Sequence, residues 1–146
     1  LGEALRPEFR QYGAQVVANA RALGGALSRR GIKLVGGGTD SHMLLLDLSP
    51  LGILGRDAEQ ALAAANITSN KNPVPFDQAR PAEWSGLRLG VAAATTRGFD
   101  EAAMLQLGDC IADLILGASE GRLAAVVDNA NVLVAELCER FPMPGN

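Results

Sequence analysis

Four stretches with a helical apolar repeat alternate with apolar runs too short for helices, and that alternation limits the folds open to this chain. From Glu8 to Ser28, Val16, Ala20, Leu23 and Leu27 recur at steps of four and three, which is one face of an amphipathic helix. Gly31 is placed to stop it, since a left-handed C-terminal cap favours glycine. Arg56 to Ala65 is a second helix, with Ala58, Ala61, Leu62 and Ala65 inward. Asp100 is placed to cap a third, whose inner face is Met104, Leu107, Ile111 and Leu114, ending near Gly117. Ser119 is placed to cap a last helix that turns Leu123, Val126, Val127, Ala130, Leu133, Val134 and Leu137 inward. Between them, Ile32 to Val35, His42 to Leu48, Asn66 to Asn70 and Leu87 to Val91 read as strands. The near-continuous run from His42 to Leu48 is what a strand covered on both faces requires. Asn72 to Trp84 holds Pro73, Pro75 and Pro81 and reads as an irregular loop. The order helix, strand, strand, helix, strand, strand, helix, helix points to an α/β (α+β) domain. A short, largely antiparallel sheet with helices on one side fits it best.

At 146 residues and 48% apolar composition, residues 1–146 read as one folded domain with a real core. The net charge of −3 argues against a nucleic-acid partner, which needs a basic face. No apolar run approaches the roughly 20 residues of a membrane-spanning helix, so no membrane partner is expected. Cys110 and Cys138 lack metal-ligand spacing and read as reduced thiols of a cytoplasmic protein, with a disulfide left open. Gly36-Gly37-Gly38 has no Lys-Ser/Thr after it, so it is not a P-loop. No metal-binding cluster and no Ser-His-Asp arrangement is visible. The single histidine, His42, reads as a capping residue at a strand start, with a catalytic role as the alternative.

Ser85-Gly86-Leu87-Arg88-Leu89-Gly90 sets one arginine inside a short apolar run flanked by glycines. Burying a guanidinium is costly unless it meets an anion. Its planar fork suits a carboxylate held by two parallel hydrogen bonds. Because Leu87, Leu89 and Val91 read as a buried strand, the guanidinium is expected to point into a polar cavity. The competing reading is a surface or structural arginine. Asn72 reads as a loop residue shaping a turn, or as an amide that offers a ligand both a donor and an acceptor. Thr95, Thr96 and Arg97 read as the end of a strand and the entry to a helix.

Four motifs, in order, resemble those of serine hydroxymethyltransferase. The opening Glu3-Ala4-Leu5-Arg6-Pro7-Glu8-Phe9, with Gln15 to Ala20, is similar to the helix leading into that family's C-terminal domain. Gly37-Gly38-Thr39-Asp40-Ser41-His42 resembles its Gly-Gly-Thr-Asp-Asn-His segment. Asn66-Ile67 with Asn70-Lys71-Asn72 and Pro75-Phe76-Asp77 resembles its Asn-Ile-x-x-Asn-Lys-Asn…Pro-x-Asp segment. Ser85 to Gly90 with Thr95-Thr96-Arg97-Gly98 resembles its Ser-Gly-x-Arg-x-Gly…Thr-Thr-Arg-Gly segment.

The resemblance implies the small C-terminal domain of a fold-type I pyridoxal-phosphate enzyme, with residues 1–31 as the lead-in helix from a large domain. Arg88 would then grip the carboxylate of serine or glycine, while Asn72 and Pro81 would belong to the tetrahydrofolate site. The complete enzyme would be a cytoplasmic homodimer that interconverts serine and glycine. Only two lysines, Lys33 and Lys71, stand against eleven arginines, and neither has the neighbours of the coenzyme-binding lysine. No catalytic residue is therefore expected in this chain, which would be inactive alone. The start at Leu1, without an initiator Met, also reads as a piece of a longer protein.

Two departures matter. Arg80-Pro81-Ala82 stands where bacterial relatives carry Ser-Pro-Phe, removing an aromatic surface from the folate site, for which Trp84 is a candidate substitute. Gly90-Val91-Ala92 stands where Gly-Thr-Pro is usual. The first motivates an alternative: a related transferase or aldolase acting on another β-hydroxy amino acid, such as an α-methylserine-type transferase. A non-catalytic binding module is a third reading.

Overall fold

The computed structural model describes residues 7–37 and 42–144; the opening residues 1–6 and the motif residues Gly38 to Ser41, Asp40 among them, lie outside these. Among the described residues five α-helices are formed: α1 (Pro7–Arg29), α2 (Gly55–Ala63), α3 (Ala92–Thr96), α4 (Glu101–Ser119) and α5 (Leu123–Arg140). Four strands, β1 (Lys33–Leu34), β2 (Met43–Asp47), β3 (Asn70–Asn72) and β4 (Gly86–Gly90), make one sheet in the spatial order β1-β2-β4-β3. Every neighbouring pair is antiparallel.

The helix ends follow local chemistry. Gly31 takes φ +81°, and the Ile32 amide donates to the Leu27 carbonyl at 3.1 Å, a Schellman stop with Ile32 buried beneath it. Asn66 closes α2 in the same way, with φ +63° and the Ile67 amide donating to the Leu62 carbonyl at 2.9 Å. That left-handed residue is why no strand starts at Asn66. The strand expected there forms instead at Asn70–Asn72, so Asn72 is a strand residue and not a loop residue. The proline-bearing loop that follows holds one 3-10 turn, Pro81–Glu83. Asp100 caps α4, accepting from the Ala103 amide at 2.8 Å, as expected. Ser119 does not cap α5: it ends α4, and its hydroxyl donates to the Leu51 carbonyl at 2.7 Å.

Helices cover one face of the sheet. Leu34, Leu44, Leu46, Leu87 and Leu89 point into the core and are buried. On the opposite face Lys33 and Arg88 are exposed, and Met43 and Leu45 are half-buried. β2 is thus covered on one face only, contrary to the expectation from its apolar run, because three consecutive leucines read alike in either setting. α1 and α2 lie against the sheet, α4 packs on both, and α5 closes over α4. Gly108 sets the α1–α4 crossing: a Cβ there would stand 2.6 Å from the Ala26 Cβ. α4 is the one described helix with the length and hydropathy of a membrane span, but Met104, Ile111, Leu114 and Ile115 bury it as the central core helix.

Candidate functional site

Arg88 stands in the middle of the uncovered sheet face. It is exposed, and among the described residues its guanidinium has no hydrogen bond or ion pair. The polar cavity expected around it is not formed by the described residues. The strand alternation explains why: Leu87 and Leu89 take the core side, and Arg88 must take the other.

Ladder phase fixes its neighbours. The Lys71 amide donates outward to Glu59 Oε2 at 2.8 Å, so Asn70 and Asn72 are the residues of β3 that bond to β4. Arg88 therefore faces Asn70 across a hydrogen-bonded pair, with Cα atoms roughly 5.5 Å apart. Toward β2 the phase reverses, since the Val91 amide donates to the His42 carbonyl at 3.0 Å and the Leu48 amide to the Ser85 carbonyl at 2.8 Å. Arg88 and Leu45 thus form a close, non-bonded pair, roughly 4.5 Å between Cα atoms. An apolar residue and an amide flank the guanidinium, and neither neutralises it.

Asn72 shares that face, one diagonal step from Arg88, opposite Gly86. Its amide donates to the Pro73 carbonyl at 3.1 Å. Gly86 permits the pairing, because a Cβ there would come within 2.5 Å of the Asn72 carbonyl oxygen. Arg88 and Asn72 are therefore brought together. Pro81 stands exposed at the start of a 3-10 turn that packs against α2, and no hydrogen bond ties it to either residue. Asp47, also on this face, accepts from the Ser49 hydroxyl at 2.6 Å and lies 3.5 Å from the Lys33 ammonium. Partial burial pushes its carboxyl up, but the Ser49 hydroxyl and amide and the Lys33 charge outweigh that and hold it below the usual range.

Thr95 and Arg97 have structural partners. Buried Asn19, on the apolar stripe of α1, donates to Thr95 Oγ1 at 3.0 Å and to the Phe99 carbonyl at 2.8 Å, and accepts from Gln15. Thr95 in turn donates to the Val91 carbonyl at 2.8 Å. Sequence reasoning passed over Asn19, although an amide beside Ala20 in an otherwise apolar stripe was a legible signal. Arg97 donates to the carbonyls of Phe141 and Cys138 and so caps the end of α5. The His42 side chain is exposed, while its backbone carbonyl extends the β2–β4 ladder. Both cysteines are free; Cys110 is buried and Cys138 half-buried. Burial, then the nearby Asp113 charge, pushes the Cys110 thiol up to about 11.

Of the two lysines, Lys33 lies 3.5 Å from Asp47 Oδ2, and Lys71 lies on the opposite face of β3 from Asn70 and Asn72.

The serine hydroxymethyltransferase family profile matches residues 1–111. The 2-methylserine hydroxymethyltransferase of Paracoccus sp is 58% identical over 143 residues, covering 98% of this chain and 34% of the relative. The enzyme of that name from Ensifer sp is 53% identical over 145 residues, covering 99% of this chain and 34% of the relative. The serine hydroxymethyltransferase of Microcystis aeruginosa is 49% identical over 142 residues, covering 97% and 33%. The chain spans about a third of the length of these curated relatives.

Proposed function

The chain belongs to the serine hydroxymethyltransferase family, and from that premise we propose that it is the C-terminal, substrate-gripping part of a pyridoxal-phosphate-dependent hydroxymethyltransferase. The assigned reaction interconverts serine and glycine and passes the one-carbon unit to tetrahydrofolate. The observation that carries this reading is Arg88, a cation held at the centre of an uncovered sheet face between two uncharged neighbours.

Arg88 takes the amino-acid carboxylate through two parallel N–H donors, fixing both position and plane. Leu45, the close non-bonded partner of Arg88 across the strands, is placed to line the arginine stem. Orientation of this kind contributes several kcal/mol to a bond-breaking step, on the order of a hundredfold or more in rate. Asn72, one diagonal away, offers its amide to the polar edge of the folate ring, with Pro81 at the margin of that site. Pyridoxal phosphate, when bound, supplies the electron sink for the carbon freed when the Cα–Cβ bond breaks. We assign its lysine and phosphate ligands to polypeptide beyond this chain, in a cytoplasmic homodimer.

One observation favours a second reading of the amino acid. The relatives named for 2-methylserine are 53–58% identical, against 49–51% for those named for serine. With the Arg80-Pro81-Ala82 departure, this makes an α-methyl β-hydroxy amino acid the alternative substrate.

Turnover of serine and of 2-methylserine, each with and without tetrahydrofolate, tests both readings in the enzyme that carries this chain. Folate-dependent cleavage is expected, and the faster amino acid decides the substrate. Cleavage that ignores folate would replace the transferase with an aldolase. Turnover of neither would leave a binding module.

A further inference from the structure

The two glycines that flank Arg88 differ in what the fold asks of them. Gly86 is required, because a Cβ would drive into the Asn72 carbonyl oxygen at 2.5 Å. Gly90 is not. Its φ lies outside the left-handed region, and a Cβ built on it meets, among the described residues, only the His42 carbonyl oxygen at 3.9 Å. A strand glycine gives up chain entropy and side-chain packing, and its recurrent use is to let a ligand or another backbone come close.

Alternation puts Gly90 on the same uncovered face as Arg88, two residues and about 7 Å along the strand. That is the scale of a small amino acid measured from its carboxylate. Nothing acidic competes for the guanidinium from the adjoining strands: Leu45 and Asn70 are uncharged, and the Asp47 carboxylate is held by Ser49 and Lys33.

We propose that Gly90 is the clearance of the carboxylate site: the amino acid gripped by Arg88 lies over the bare backbone of Gly90. A methyl group added there strikes the ligand and spares the fold. The inference rests on the reading of Arg88 as the carboxylate grip, and it makes Gly90 a specificity-determining position that limits the size of the amino acid.

The test is Gly90→Ala in the enzyme that carries this chain, with Arg88→Lys measured beside it. Gly90→Ala is expected to raise KM for the amino acid by roughly tenfold or more. KM for tetrahydrofolate and the melting temperature should stay at the wild-type value. An unchanged amino-acid KM overturns the proposal. So does a melting temperature lowered by more than about 4 °C, which would make Gly90 a requirement of folding or docking. If Arg88→Lys raises KM and Gly90→Ala does not, the clearance alone has failed. If neither variant raises KM, the carboxylate reading has failed and the clearance falls with it.

Discussion

On the helix side of β4, Leu87 is fully buried and Leu89 nearly so, packed into a core shared with Leu44, Leu46 and the helices above. On the other side, Arg88 stands exposed between Gly86 and Gly90, beside Leu45 and Asn70. The first face is explained completely by packing within the chain. The second is not, because nothing among the described residues calls for a lone cation or for a glycine at 90. On the proposed reading, one strand separates residues kept for stability from residues that answer to a ligand.

The sharpest way to break that contrast is to truncate one leucine on each face. Leu46→Ala should cost about 2–5 kcal/mol in denaturant unfolding, since it leaves a cavity in a closed core. Leu45→Ala, on the half-covered face, should cost less than about 1 kcal/mol. Equal losses would mean that the uncovered face carries stability too.

A smaller effect is expected in the helix layer, where α1 is tied to α3. Asn19→Ala strips a donor from the Phe99 carbonyl and from Thr95, and should destabilise by about 1–3 kcal/mol. A near-zero change would deny that α3 is anchored to α1 through this amide.

The smallest effect concerns acid on the uncovered face. Asp47 has its carboxyl held below its ordinary value, so its contribution is full above the unfolded pKa of about 3.9 and is lost as pH falls through the folded one. Asp47→Asn should lower stability near neutrality by that contribution and flatten the loss below about pH 4, so that the two curves converge in acid. A variant that keeps the full acid sensitivity would assign it to other carboxylates.

Much of the framework was legible because local chemistry decides it. The four-and-three repeat of α1, its stop at Gly31 and the Asp100 cap all stand as expected. β3 was misplaced because Asn66 spends its conformational freedom on closing α2, which no apolar pattern records. Ser119 was misread because a serine at a helix boundary serves either helix, and its partner Leu51 is distant in sequence. The Arg88 run identified the arginine as the residue to watch but misjudged its surroundings. Leu-Arg-Leu reads the same whether one face or both are covered, so the expected cavity was an inference about packing that a pattern cannot supply. Gly86 and Gly90 are likewise indistinguishable as letters, and only the atoms a Cβ would meet separate them.

The central claim is that Arg88 is kept for a carboxylate and not for the fold. Steady-state kinetics and thermal unfolding of Arg88→Lys, in the enzyme that carries this chain, test it most directly. The account predicts kcat/KM for the amino acid lowered by about a hundredfold or more, because lysine keeps the charge and loses the fork, with an unchanged melting temperature. Wild-type kcat/KM, or a loss of activity that tracks a loss of folded protein, would contradict it.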